Sequence, residues 1–411
     1  MARTRKPAAP KPPSKLAAKL AAIVKAQRTS ERRRAVAKSA AATLYAERVT
    51  YAKQRALRVL QARVVTYRRE LERQVCEVGY DFRKAKDDER TEPHHFSEAI
   101  RALKADGAIK EHVEKIANTN YVFWISGRAT VRAIAPVLRR KIAAVTVYER
   151  ITHIPSNGWH AEGLHHEGLV ADGEWLSVGW KGGVPIRQLG RHVIEDDKLD
   201  VDLAAFHAAT KVPIVVQVKN TREWFYPPDH AVWHLLGAAA RLHAVPVLIA
   251  RRLPERTFAF MKSIGGFAFP SLKLILPPEL KDSRPIPRLP TVIDAATDLG
   301  FHSDTDFIDE PLPRHRLLWS GELASSIEDM HQRFLELRSE IERIAFDEGL
   351  RGEHSRGRVS GKTRREITDT FIFLVREQHR QQALDRWRAE HPRPEHPRPE
   401  FPEDDEGFDP F

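Results

Sequence analysis

The sequence predicts an α/β fold, a mixed sheet flanked by helices, preceded by a long helical arm. Three observations carry that expectation. Leu199–Asn220, LDVDLAAFHAATKVPIVVQVKN, holds an alternating polar and apolar run followed by VPIVVQV, which is too short for a helix and apolar enough to be buried on both faces. After it, helical and strand-like segments alternate. Before it lies a basic region rich in Ala, Arg, Leu and Gln.

Residues 1–14, MARTRKPAAPKPPS, are too rich in proline and lysine to pack and are expected to be disordered. From Lys15 to about Val78 there is no proline or internal glycine, and Leu57, Leu60, Val64 and Leu71 recur at helical spacing. One long helix or a helical hairpin is expected, within an arm spanning 15–90, and self-association into a homodimer is a further expectation. In 91–152, HFSEAIRALKADG reads as an amphipathic helix stopped at Gly107, followed by the strands AIKEHVE and YVFWIS around the polar EKIANTN. Val131 to Thr152 reads as another helix leading into the body of the protein. Residues 154–190 give no clear pattern. Their tryptophans, Trp159, Trp175 and Trp180, and histidines, His160, His165 and His166, read as a polar loop, because the i, i+4 pairing with a glutamate found in helical zinc sites is missing.

The run 199–220 reads as a hairpin of two strands, with Asp202 on the first and Gln217 and Lys219 on the second. Strand side chains alternate faces, so Gln217 and Lys219 point the same way. DHAVWHLLGAAARLHA then gives a helix with Val232, Leu235, Leu236, Ala239 and Leu242 on one side, VPVLIARR a buried strand, RTFAFMKSIGGFAF a helix stopped at Gly265–Gly266, and LKLILP a last strand. Residues 153–285 are thus read as the α/β domain. Helices are expected at 320–347 and 364–389 in a C-terminal region, 286–390. The tail, 391–411, repeats HPRPE in tandem and ends FPEDDEGFDPF, a composition expected to be disordered and acidic.

Charge is unevenly placed. The net +11 of the 411 residues includes 20 Lys and Arg against 4 acids in residues 1–75, so that +16 lies there and 11 − 16 = −5 remains for the rest. A basic arm on a near-neutral body points to a nucleic-acid backbone. No run approaches the about 18 apolar residues of a membrane span, so no membrane is expected as a partner. The basic N-terminus has no apolar core of a secretory signal. The single cysteine, Cys76, excludes internal disulfides and points to a reducing, cytoplasmic setting.

Asp202, then Gln217-Val218-Lys219, an asparagine after the lysine, an amphipathic helix and the strand VPVLIARR together resemble the PD-(D/E)XK nuclease superfamily, in its Holliday-junction-resolvase and Mrr-like branches. The likeness covers residues 191–277. It implies a restriction-endonuclease-like fold, with Asp202 and Gln217 holding Mg²⁺ or Mn²⁺ and Lys219 orienting or activating the attacking water. The helix, glycine, strand, loop and strand of 91–126 resemble a winged helix, a module that places its helix in a DNA groove. Where Gln217 stands the pattern calls for an acid. Compensating acids are sought at Glu195, Asp196, Asp197 and Asp200, or at Glu149, Glu162 and Glu167 upstream. Arg222, Trp224 and Tyr226 offer a phosphate-binding cation and stacking surfaces for bases. The expected function is a metal-dependent endonuclease acting on DNA. The rivals are a catalytically inactive, nuclease-like DNA-binding or regulatory protein and an RNA-processing enzyme.

Overall fold

A computed structural model describes residues 15–77, 91–171, 173–180, 182, 186–195, 199–311 and 313–346, with a discontinuous set of helical positions from 366 to 382. The expected terminal tails, 1–14 and 391–411, lie outside the described residues. The chain divides into two compact units, one made of 1–154 and 278–307, the other of 155–277 and 308–411.

In the first unit, α1 (Lys15–Arg63) is the expected long helix, but it is not continued to Val78. Val64 takes a left-handed backbone (φ 66°), and β1 (Val65–Tyr67) and the short α2 (Arg68–Cys76) follow. The reason is local. Val65-Thr66 is a β-branched pair, stiff at χ1 and better suited to a strand, whereas Val64 takes up the turn in a conformation that β-branched residues disfavour. All three residues of β1 are buried.

Next come α3 (Pro93–Ala105), β2 (Ile109–Ile116), β3 (Thr119–Ser126) and α4 (Val131–Thr152). The β2–β3 hairpin is tighter than the sequence suggested. Its strands run through most of EKIANTN and leave only Ala117 and Asn118, both at positive φ, as the turn. β1 pairs antiparallel with β3, giving the sheet order β1-β3-β2. The arm and the following module, read as separate from sequence, thus share one unit, to which 278–307 contribute α8 (Val292–Asp298) and β12 (Thr305–Phe307).

Two buried polar devices hold this unit. The Glu70 carboxylate accepts from Lys141 Nζ at 2.8 Å, from Arg63 at 2.5 Å and from the Tyr67 amide at 3.1 Å, while Lys141 also donates to the Asp298 carbonyl. At the start of α3, the Glu92 amide donates to His95 Nδ1 at 3.0 Å. Burial, with His94 and Arg48 adding repulsion, pushes the His95 imidazole down to about 3.

The second unit opens with α5 (Pro155–Ala171) and β4 (Trp175–Trp180), where the sequence suggested a polar loop. The helix escaped notice because its buried side mixes Ala161, Leu164 and Leu169 with polar residues and glycines and so presents no continuous apolar stripe. A Cβ on Gly163 would lie 3.1 Å from the Trp180 ring, and one on Gly168 would lie 3.3 Å from the His315 carbonyl oxygen. A two-stranded piece follows, β5 (Gln188–Leu189) and β6 (His192–Val193).

Then come β7 (Leu203–His207), β8 (Pro213–Trp224), α6 (His230–Leu242), β9 (Val245–Arg252), α7 (Glu255–Ser263), β10 (Phe267–Pro270) and β11 (Leu274–Leu276). The five-stranded sheet has the order β10-β9-β8-β7-β4, with β10-β9-β8 parallel and β8-β7-β4 antiparallel. The parallel edge is β10, formed by the residues just after the expected helix stop at Gly265–Gly266, where the sequence suggested no strand. The expected last strand, β11, lies outside this sheet. Past residue 308 are α9 (Pro313–Leu318) and α10 (Ala324–Ala345), joined through Trp319–Leu323 by a kink at Gly321 (φ −95°, ψ −126°), so the helix expected from 320 begins a few residues late.

The sheet's two faces have separate cores. α6 covers Val201, Ala204, Val215, Leu248 and Ala250. Ala161 and Leu164 of α5, with Trp319 and Ile327, cover Leu203, Ala205, Val216, Val218, Val247 and Ile249. No helix among the described residues is long and apolar enough to cross a membrane.

Removing Lys141 takes from the Glu70 carboxylate its fully buried cation and leaves only the half-exposed Arg63, so Lys141→Ala should lose about 3–5 kcal/mol in denaturant unfolding, while a Glu70→Gln, Lys141→Met pair should recover much of it. For His95 the folded state prefers the neutral ring. The unfolded chain therefore binds the extra proton, and stability present above the ordinary histidine range is lost as pH falls from about 6.5 toward 3. His95→Gln, which keeps an acceptor, should flatten that loss when melting is followed between pH 7 and pH 5.

Candidate functional site

The hairpin β7–β8 sets the site. Its register pairs Leu203 with Val216, Ala204 with Val215 and Ala205 with Ile214. The Asp202 amide donates to the Val216 carbonyl at 3.0 Å and extends the ladder by one step. Val215 belongs to the α6 core and Val216 and Val218 to the α5 core, so strand alternation turns Gln217 and Lys219 to the α6 face. Parallel pairing agrees. Gln217 lies beside Leu248 and Lys219 beside Ala250, both residues of that face.

Asp202 and Gln217 are brought into direct contact, each only 3% exposed. Gln217 Nε2 donates to Asp202 Oδ2, and the Val218 amide donates to the same oxygen at 2.7 Å. The other end of the amide, Gln217 Oε1, is buried without a hydrogen bond. A buried carbonyl-type oxygen left so is costly unless something meets it. Lys219 is half-buried, and no hydrogen bond or ion pair engages its ammonium among the described residues.

The neighbouring groups are partly those the sequence offered. Asp200 lies two residues before Asp202, and its amide donates to His234 Nε2 of α6 at 3.2 Å, with its carboxylate 3.8 Å from the same nitrogen. The His230 ring is 5.8 Å from that of His234. His234 escaped the sequence reading, which treated its helix only as an apolar face. The one available signal was the pair of histidines four apart in HAVWH.

Glu195 is exposed, and Asp196 and Asp197 lie outside the described residues. Glu162 is buried on α5, the helix that covers the opposite face, and Glu167 on that helix is exposed. Glu149 belongs to the first unit, where Tyr67 donates to it at 2.9 Å and Arg69 at 3.4 Å.

Farther along β8 the expected nucleic-acid contacts separate. Arg222 is buried, and its carbonyl accepts from Arg251 at 3.4 Å. Trp224 is half-buried and pairs with Arg252. Half-buried Tyr226 uses its amide to cap toward Asp229 at 2.5 Å, while Phe225 between them enters the α6 core. The three histidines of α5 also diverge. His160 meets the Ile308 carbonyl at 2.6 Å, His165 is buried beside the His315 ring, and His166 meets Ser177 Oγ at 2.7 Å.

Among the described residues no three His, Cys, Asp or Glu side chains gather to hold a metal ion. The hard oxygens at this pair are the Asp202 carboxylate and Gln217 Oε1, an incomplete set by protein groups alone, and it is Nε2 rather than Oε1 that faces Asp202.

Substitution probes this directly. Gln217→Glu sets two carboxylates side by side, which drives one of them to hold a proton. In metal-free buffer the variant should melt below the wild type, with the gap widening as pH rises above the usual carboxylate range. Mg²⁺ or Mn²⁺ should close that gap and raise the melting temperature of the variant more than that of the wild type. A gap indifferent to either ion would remove this pair from consideration as a cation site. The chain matches no protein-family model, no curated protein and no solved structure.

Proposed function

We propose that this chain is a metal-dependent endonuclease hydrolysing phosphodiester bonds in DNA. The observation that carries the reading is the Asp202–Gln217 contact, with an unsatisfied amide oxygen, on the sheet face shared with Lys219. The order α5, β4, β7, β8, α6, β9 in a mixed sheet supports a restriction-endonuclease-like core. In the first unit, the order α1, β1, α2, α3, β2, β3 with β1 on β3 supports a winged-helix-like module able to engage DNA.

Asp202 and Gln217 would hold a Mg²⁺ or Mn²⁺ ion through oxygens. When bound, such an ion supplies Lewis-acid activation of water and neutralises phosphate charge. The chain's own residues do the rest. The Val218 amide keeps the Asp202 carboxylate aimed along β8, and Asp200 with His234 ties the segment entering β7 to α6. The Lys219 ammonium stabilises the negative charge that grows on the phosphoryl oxygens, and one such group is typically worth about 3 kcal/mol.

A specific observation favours a second reading, a nuclease-like DNA-binding or regulatory protein that does not cut. Gln217 Nε2 binds Asp202 itself, so the two groups satisfy one another in part without an ion.

Plasmid and branched DNA incubated with Mg²⁺ or Mn²⁺ separate the two. The wild type should nick or cut, and Lys219→Ala should be slower by roughly 10²–10³-fold. Equal cleavage by both proteins would sink the catalytic assignment. Salt-sensitive, metal-independent binding without nicking decides for the second reading.

A further inference from the structure

The first unit carries a cationic surface that neither α3 nor the β2–β3 hairpin accounts for. Residues 127–141, GRATVRAIAPVLRRK, contain five basic side chains and no acid. Two of the five are engaged internally, Lys141 by Glu70 at 2.8 Å and Arg140 by Asp298 at 3.0 Å. The other three, Arg128, Arg132 and Arg139, are exposed, and no ion pair engages them among the described residues.

Their placement is regular. Arg132 and Arg139 are seven residues apart on α4, hence on one side and about 10 Å apart along the axis. Arg128 lies in the turn leading into the helix. The opening of α4 stands clear of the unit: Val131 is 82% exposed, and the buried positions begin only at Lys141.

The surfaces a winged-helix-like module would ordinarily offer are different in charge. At the end of α3, Lys104 is bound by Glu111, and Lys53 of α1 is bound by Asp106 at 2.5 Å. The hairpin mixes Lys110 and Lys115 with Glu111 and Glu114. Those surfaces largely neutralise themselves, whereas the start of α4 does not.

We propose that Arg128, Arg132 and Arg139 form a contact surface for the phosphate backbone of duplex DNA, set on α4 and its entering turn; the choice of polymer rests on the DNA reading above. Guanidinium groups match phosphate oxygens two at a time. Several on one helix side, free of acids, suit a polyanion with regularly spaced charge. A lipid surface fits less well, because 127–141 holds no aromatic residue to enter the headgroup layer.

The test uses the full chain and fluorescence anisotropy of a labelled DNA duplex over a series of salt concentrations. The Arg128→Ala, Arg132→Ala, Arg139→Ala protein should bind at least about tenfold more weakly at low salt, with the slope of log affinity against log salt reduced by roughly 2–3. It should melt at the wild-type temperature, since these side chains are exposed. A Lys110→Ala, Lys115→Ala protein should change the slope less.

Wild-type binding with an unchanged triple variant overturns this surface while leaving the DNA reading standing. An equal loss in the hairpin variant overturns its location. Absence of duplex binding by the wild type overturns both readings. Binding of anionic vesicles as tight as that of DNA, and lost in the triple variant, reassigns the surface to lipid and overturns the proposal.

Discussion

A carboxylate and an amide held against one another inside a hydrophobic sheet are the constraint around which the second unit is arranged. Asp202 is nearly inaccessible, and the Val218 amide and Gln217 Nε2 are both delivered to one of its carboxyl oxygens, which offsets the cost of burying it. That delivery depends on the β7–β8 register. A slip of one residue would turn Gln217 to the α5 face and bury an uncompensated acid beneath α6. Polar pairing and apolar alternation therefore specify the same alignment.

The first unit handles charge by a different rule. Its buried ions are tied into closed sets, Glu70 with Lys141 and Arg63, and Arg73 with Asp304 at 3.0 Å. Such sets favour one arrangement of the helices more than they add to net stability. Arg128, Arg132 and Arg139, which no such set engages among the described residues, face solvent. Excess positive charge and fold-holding charge thus reside on different side chains of one unit.

Sequence was informative where a periodicity is tied to burial. VPIVVQV became a central strand, VPVLIARR a parallel neighbour, and 131–152 a helix with the expected ends. It was silent where packing uses absence of side chain. α5 has glycines where its neighbours approach, and no continuous hydrophobic stripe betrays it. It misled at Val65-Thr66, where helical spacing outweighed a β-branched pair, and at β10, whose four residues follow two glycines too closely to look like a strand. At the site, the shared face of Gln217 and Lys219 was legible from alternation alone. That Gln217 would turn its N–H toward Asp202 was not, since this depends on cross-strand register. His234 was invisible for the same kind of reason, its partner Asp200 being 34 residues away in the chain.

Asn220, the residue after Lys219, has a consequence of its own. Its side chain mimics a backbone unit: Nδ2 donates to the Ile275 carbonyl at 2.6 Å and to the Asn157 carbonyl at 3.0 Å, while Oδ1 accepts from the Ile275 amide at 2.9 Å. One side chain thereby serves as a surrogate strand between β8 and β11 and fastens the beginning of α5 as well. Aspartate, though nearly the same shape, brings two acceptors and no donor, and would turn two attractions into lone-pair repulsions. The preference for an amide at this spot thus has a mechanical origin, independent of any chemistry performed by the lysine beside it.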